Sequence, residues 1–597
     1  MISILQVFYS VFSGALLATA IPNEIYLLGC PIFSFVALIP YYLAITKAKN
    51  YKQAFFLGFV QSITTHFISS FWLAYFKEFA LFTLGASAFG TGLIGGLFAL
   101  CLYIPFSTSN HQNKLNANSL NLKWIELSSF KIIYFAAIYT LYEWGKSSGF
   151  LGYPWGTISS TMFKFPILTQ IADITGVYGI TFIVALFNSI LAEIFIYFND
   201  NKTIKTNRFN SILLTANLFS VLFVLSMVYG LYQYNKTREP EKYLNTILVQ
   251  QNSNPWDNTS DKDTILLSED LTKREIDKLS ENDEIPQLVV WSEGCLLTSF
   301  PYGAQHYTYY PSDNPLAKFV RNSNVPFIFG GSFVRNKAEK KVFNASILYD
   351  ENGIYRGIYG KNHLVPFAEA LPFAENLKFR NFLEKILGIS AGWSPGDQYV
   401  LFEIPCSITS KLKLPQVDLI SLKETYEEQN IRKEKLKTVK ISTPICYDDA
   451  FTDIMRPLFL NGTELFVNIT DDSWSLKKSS ETQHFVIASY RAIEYRTTLV
   501  RSANSGYSAV VSPTGKILKD MPLFEATATN FNIPIYSRTI TTYASFGNWF
   551  PFFIIIFLFS VSIYTALTFT SSDYIPSERK LKKKSKKHSK KNSKNKK

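Results

Sequence analysis

The sequence predicts an α-helical membrane bundle of about eight transmembrane helices joined to a soluble α/β sandwich domain. Three observations carry this. The chain has 597 residues, too many for one ordinary domain. It is 47% hydrophobic and 16% aromatic, and the apolar residues collect before residue 235 and again at 548–570. The stretch between those blocks has the composition of an ordinary globular protein.

The membrane elements come first in the chain. Seven apolar segments run roughly over 4–21, 24–46, 54–76, 80–106, 131–145, 166–198 and 209–234. Each approaches the roughly 20 residues that a membrane span needs. The fifth is the weakest, being short and ending in Glu143 and Lys146. The eighth, "NWFPFFIIIFLFSVSIYTALTFT", covers 548–570. Trp and Tyr recur near the segment ends, as in interfacial belts.

Charge sets the expected orientation. "KAKNYKQ" (47–53), the loop 107–131 with Lys114, Lys123 and Lys131, and "NKTIKTNR" (201–208) are basic. The connections near 22–24, 77–79 and 147–165 lack that excess. The positive-inside rule then places the basic loops and both termini in the cytoplasm, and 235–547 on the outer face. "ALLATA" (15–20) ends in a small-x-small pattern, but no basic residue precedes it, so retention of residues 1–20 is expected over cleavage. The expected domains are a membrane half over 1–235, a soluble domain over 240–540, a final helix over 548–570 and a disordered tail over 571–597. The formal charge of +13 comes from that tail, where Arg579–Lys597 holds twelve Lys and Arg and no acid. Directly after an apolar helix, such a tail suits anionic headgroups better than nucleic acid.

Within the soluble domain, short β-like runs alternate with helical stretches. Strands are expected at 246–251, 287–293, 326–333, 344–350, 439–447, 464–470 and 507–513, and helices at 264–280, 375–387, 448–460 and 481–496. The charged stretch 407–438 interrupts what looks like a β pair and is expected to be a surface insertion. Gly90, Gly92 and Gly95 match G-x-G-x-x-G, but inside an apolar run that pattern points to close helix packing, not to a dinucleotide. The five cysteines show no CxxC or zinc-type spacing, so neither metal nor other cofactor is expected. Cys295 and Cys406 are left open as a pair or as packed thiols.

The chemistry concentrates in three runs. Glu293 ends "QLVVWSE", Lys361 opens "KNHLVPFAEALPF", and Cys446 ends "VKISTPICY". A cysteine thiolate attacks a carbonyl to form a thioester, a glutamate carries its proton, and a lysine ammonium stabilises the thiolate and the oxyanion. Cys446 is followed at once by Asp448 and Asp449, whose charges disfavour a thiolate; Lys361 is the compensating group.

These runs resemble the nitrilase superfamily, whose triad follows the order Glu, Lys, Cys. "YGKNHLVPFAEALP" (359–372), "PICYDD" (444–449), "QHFVIASYRAIEYRTTLVRSANSGYSAVVSPTGKI" (483–517) and "YEWGKSSGFLGYPWG" (142–156) resemble the apolipoprotein N-acyltransferase family over nearly the whole chain. The resemblance implies a nitrilase-like α/β/β/α sandwich with Glu293 as base, Lys361 as oxyanion partner and Cys446 as nucleophile. It also implies a supporting role for Glu369 and a backbone N–H contribution from Tyr447. Asp448 stands where the family usually has Glu, keeping the charge on a shorter arm. "WSEGC" and "TDDSW" (470–474) depart from the more usual "WPET" and "NDAW". The implied reaction moves an acyl chain from a membrane phospholipid, through a Cys446 thioester, to the α-amino group of a lipoprotein's diacylglyceryl-cysteine, at the outer face of a bacterial inner membrane. Two alternatives stay open: a membrane-tethered amidase or nitrilase, and an inactive scaffold. The apolar stretches 295–302 and 369–389 are expected either as lipid-dipping lids or as ordinary packing. Glu143 and Asp173 are acids in or near membrane helices, either functional or paired structurally, with Lys146 a partner for Glu143.

Overall fold

The computed structural model describes residues 2–76, 80–111, 127–199, 206–254, 260–336, 341–371, 378, 381, 385, 392–408 and 436–573. Before residue 236 the described chain is helical, with long helices at Ile4–Ala20, Tyr51–Ser69, Ala80–His111, Ser128–Lys146, Val177–Asn199 and Thr206–Asn235. Among the described residues three helical stretches are long and apolar enough to cross a membrane: Thr83–Ser107, Val177–Asn199 and Arg208–Asn235. Ile4–Ala20, Pro31–Thr46 and Trp549–Tyr564 are shorter apolar helices. The expected segments 24–46 and 166–198 are broken. The first splits into Pro31–Ala37 and Ile39–Thr46, with Pro40 at the break, and the second opens with the short helices Pro166–Thr169 and Ala172–Thr175 before Gly176. The glycine pattern lies within Ala80–His111, where a Cβ on Gly95 would come within 1.9 Å of Ser62 Oγ. Small residues there let two helices touch.

The acids near the membrane are pinned. Glu143 accepts from the Ile158 N–H (2.7 Å) and the Thr181 hydroxyl (2.6 Å). Lys146 donates to the carbonyls of Trp155 (2.6 Å) and Gly156 (3.3 Å), not to Glu143. Together they hold the segment 147–158 in place. Asp173 pairs with Arg496 at 2.7 Å.

Among the described residues after 236 there are twelve strands. They are β1 (Pro240–Gln250), β2 (Leu288–Trp291), β3 (Phe327–Asn336), β4 (Lys341–Tyr349), β5 (Tyr355–Gly360), β6 (Phe402–Ser407), β7 (Leu436–Ser442), β8 (Leu465–Thr470), β9 (Leu499–Ala503), β10 (Ala509–Val511), β11 (Ile517–Asp520) and β12 (Thr527–Tyr536). One half runs β5-β4-β3-β2-β1-β12 and the other β6 to β11, and the pairing Tyr243↔Ser407 links them. Each half has a parallel trio, β1-β2-β3 and β7-β8-β9. The halves also meet across their faces: the Ser502 hydroxyl on β9 reaches the carbonyls of Val249 on β1 (3.3 Å) and Val290 on β2 (3.2 Å). β2 and β8 are buried along their whole length, which is why they read as unbroken apolar runs.

β9 and β12 were not expected from the sequence. β6 and β7 pair from Phe402↔Ile441 to Ser407↔Leu436, so the charged stretch interrupts a true antiparallel pair; residues 409–435 themselves lie outside the described residues. The helix expected at 375–387 also lies outside them, apart from single positions. All five cysteines are free; the Cys295 thiol donates to the Gly330 carbonyl instead. In the stretch 295–302, Cys295, Leu296 and Phe300 are buried in the core, while Leu297, Pro301 and Tyr302 are exposed.

The helix Lys478–Tyr495 departs from its expected place on the outside of a sandwich. Every residue from Ser479 to Tyr495 is buried, because the membrane half covers the side that the sheet does not. Its polar residues bond across that seam: Ser479 to Glu24 (2.7 Å), Gln483 to Pro22 and Ser69 (both 2.8 Å), and Tyr490 to Ser159 (2.6 Å).

Candidate active site

The candidate residues converge just past the carboxyl ends of strands, where α/β folds place their ligands. Glu293 follows β2, Lys361 follows β5, and Cys446 follows β7. A Cβ on Gly330 of β3 would fall 2.4 Å from the Glu293 Cα, so only glycine lets β3 pass so close.

Lys361 is 1% exposed, and its ammonium lies 2.9 Å from Glu369 Oε1 and 3.4 Å from Glu293 Oε1. Asn344 Nδ2 donates to both, at 2.6 Å to Glu293 and 3.2 Å to Glu369. Each carboxylate turns its other oxygen to a backbone N–H: Asp471 to Glu293 (2.8 Å) and Val365 to Glu369 (2.8 Å). Burial disfavours the Lys361 charge, but Cys446, Glu293 and Glu369 together hold its pKa well above the usual lysine range. Burial raises the Glu293 pKa, against the pull of Lys361. The Cys446 thiol is pushed well up by burial and then by Glu293, while Lys361 opposes this. The pKa of all three groups is thus raised, by burial at Glu293 and Cys446 and by neighbouring charge at Lys361, with Lys361 opposing the rise at the other two. Among the described residues the thiol has no hydrogen-bond partner.

Cys446 itself has φ +46°, a left-handed conformation that costs a non-glycine residue of order 1 kcal/mol and is common at functional sites. It opens a short 3₁₀ turn, Cys446–Ala450. The two neighbouring acids, whose charge opposes a thiolate, point their carboxylates at other partners. Asp448 Oδ1 accepts from the N–H groups of His363 (2.7 Å) and Asn362 (3.2 Å); its Oδ2 accepts from Tyr359 (2.9 Å) and Ile445 N–H (3.1 Å). One side chain thus ties the turn that begins at Cys446 to the segment carrying Lys361. Burial raises its pKa to about 7, against those hydrogen bonds. Asp449 instead meets His484 Nε2 (2.8 Å) and the Arg501 guanidinium.

The Tyr447 ring leaves the site altogether. Its hydroxyl donates to the Gly152 carbonyl (2.8 Å), and the ring stacks on Trp155 at 5.3 Å. Beside it, a cavity of about 210 Å³ opens between Phe451 and Arg491 of the soluble half and Trp144, Tyr178 and Phe552 of the membrane helices.

The family model for the apolipoprotein N-acyltransferase N-terminal domain matches residues 13–190, and that for carbon-nitrogen hydrolase matches 248–534. Apolipoprotein N-acyltransferase 2 of Treponema denticola is 38% identical over 561 residues, covering 92% of this chain and 96% of that protein. The chain belongs to the apolipoprotein N-acyltransferase family. Apolipoprotein N-acyltransferase 2 of Treponema pallidum is 33% identical, covering 90% of this chain and 91% of its own. The Borreliella burgdorferi apolipoprotein N-acyltransferase is 32% identical, covering 90% and 92%.

The site also draws on residues to which the motifs assigned no task. Asn344 sits mid-strand in β4 and gives no local signal. Asp472, His484 and Arg501 become visible only once the helix Lys478–Tyr495 is placed. Cys446, Asp472 and His484 bring metal-ligand atoms within 4.8 Å of one another. Both ring nitrogens of His484 are, however, held by carboxylates, Asp472 at 2.6 Å and Asp449 at 2.8 Å, so a metal would have to displace those bonds.

Proposed function

We propose that this enzyme transfers an acyl chain to the N-terminal cysteine of lipoproteins by way of a Cys446 thioester. The observation that carries it is the gathering of Glu293, Lys361 and Cys446 at strand ends on the side of the soluble domain that docks on the membrane helices. Glu293 takes the thiol proton as the sulfur attacks an ester carbonyl. Lys361 and the N–H of Tyr447 stabilise the oxyanion. The ester C–O bond breaks, and Glu293 returns the proton to the leaving alcohol. The acceptor's α-amine then attacks the thioester, gives its proton to Glu293, and expels the Cys446 thiolate, which is reprotonated. Glu369 holds Lys361, and Asp448 holds the turn.

A membrane phospholipid is the donor we favour, since its ester group lies at the surface where the soluble domain sits. The connections 22–24 and 147–165, which lack the basic excess, touch the soluble half through Glu24 and Gly152. This supports one outward face for both, with eight crossings and the basic tail inside, as in a bacterial inner membrane. The broken and short helices fit this count if they cross with irregular backbone buried in protein.

Mass spectrometry tests the proposal. Incubation with phospholipid should add one acyl chain to Cys446, labile to hydroxylamine, and a diacylglyceryl-cysteine peptide should discharge it as an amide. Discharge to water alone would make the enzyme a hydrolase. A free, unmodified Cys446 after incubation would refute the thioester route.

A further inference from the structure

Asp449, His484, Asp472 and Arg501 form a closed ring on the second side of the nucleophile turn. His484 joins Asp449 to Asp472 through its two nitrogens. Arg501 joins the same two acids through its two terminal nitrogens, at 3.0 Å to Asp472. All four side chains are buried. The ring reaches the proposed chemistry in two directions. Asp449 lies in the 3₁₀ turn that begins at Cys446. Asp472 follows Asp471, whose N–H is bonded to Glu293.

The next residue back along the helix, Gln483, is committed to the membrane half. Its Nε2 donates to the carbonyls of Pro22 and Ser69, both at 2.8 Å, and its Oε1 accepts from the Trp72 indole at 3.2 Å. Those three partners are the ends of the helices Ile4–Ala20 and Tyr51–Ser69 and the turn after the latter. Gln483 is 1% exposed with its amide fully engaged. Adjacent residues of one buried helix therefore grip, respectively, the membrane helix ends and the nucleophile turn.

We infer that Gln483 and His484 are a positioning pair that sets the geometry of Cys446 and Glu293 from the docking of the membrane half. The inference rests on Cys446 being the nucleophile. Neither residue touches the reacting atoms. What they supply is register: each acid of this buried ring is held by both cations, and a shift of about 1 Å at a nucleophile can cost on the order of 100-fold in rate.

The test uses the full-length protein in detergent micelles. Peptide-level mass spectrometry follows iodoacetamide capture of Cys446, and acyl transfer gives kcat and KM. Gln483→Ala should lower both the Cys446 capture rate and kcat by about tenfold, with KM within twofold. His484→Asn should do the same. The double variant should lose no more than the worse single variant, because both cut one linkage. Trp72→Phe removes one hydrogen bond from the membrane side and should give a smaller loss in the same direction; it also serves if Gln483→Ala does not fold. Capture and kcat within twofold of the parent in folded Gln483→Ala or Trp72→Phe would overturn the inference. So would losses that multiply in the double variant. Failure of the nucleophile itself is separable: it would show as transfer that survives complete alkylation of Cys446.

Discussion

Glu293, Lys361 and Glu369 form one cluster of ionisable groups, and Asp449, His484, Asp472 and Arg501 form another. Both groups are buried, and both are built from acids and bases. In the first, two carboxylates share one ammonium, and neutral donors (Asn344 and two backbone N–H groups) make up the rest. In the second, two carboxylates face two cations, and each cation bridges both acids. Uneven charge leaves a proton with somewhere to go. A closed ring leaves geometry with nowhere to go. The difference separates a group suited to proton transfer from one suited to holding shape.

The comparison breaks first at Cys446. Cys446→Ser should reduce acyl transfer by about 10³-fold or more, with melting temperature unchanged in a detergent scan. Equal activity would remove the reason for an uneven cluster. Glu293→Gln should cost roughly 10²–10⁴-fold in kcat and flatten the acid limb of the pH–rate profile. That limb should lie above the usual carboxylate range, since burial raises the Glu293 pKa and the base must be ionised. Lys361→Ala should destabilise the fold by about 3–5 kcal/mol in denaturant titrations, because two buried carboxylates lose their cation. Asn344→Ala should cost about 1–3 kcal/mol, since it strips a donor from both acids.

The smallest effect concerns the ring. Asp472 and Asp449 outweigh burial and Arg501 at His484 and raise its pKa to about 9. A folded pKa above the unfolded value of about 6.5 means that its stabilisation is complete below pH 6.5 and is lost as pH rises through about 9. Melting temperature should fall over that window, and His484→Gln should flatten the fall. An unchanged slope in the variant would assign the loss to other groups.

Much of the first cluster was legible in the sequence, because Glu293, Lys361 and Cys446 each end or follow a run whose apolar character marks a buried strand. Glu369 came from its motif. Asn344 did not, since a polar residue inside a strand looks the same whether it faces solvent or a carboxylate. The second cluster was nearly invisible. Asp449 read as a puzzle beside the thiol, and His484 and Arg501 as parts of a motif without a task. Their meaning depends on contacts between residues far apart in sequence. The strands β9 and β12 escaped because "LVRSA" carries Arg501 at a buried position and β12 is half-exposed along most of its length. The apolar segments were drawn too regular, since hydropathy does not register breaks such as those at Pro40 and Gly176.

The helix Lys478–Tyr495 also constrains how the protein is made. Ser479 is bonded to Glu24 across a sequence separation of 455 residues. A ribosome delivers the first helices long before this one exists, and contacts so distant in sequence form late. A chain stalled before residue 478 would therefore carry Cys446 without the helix whose His484 bonds to Asp449 in its turn.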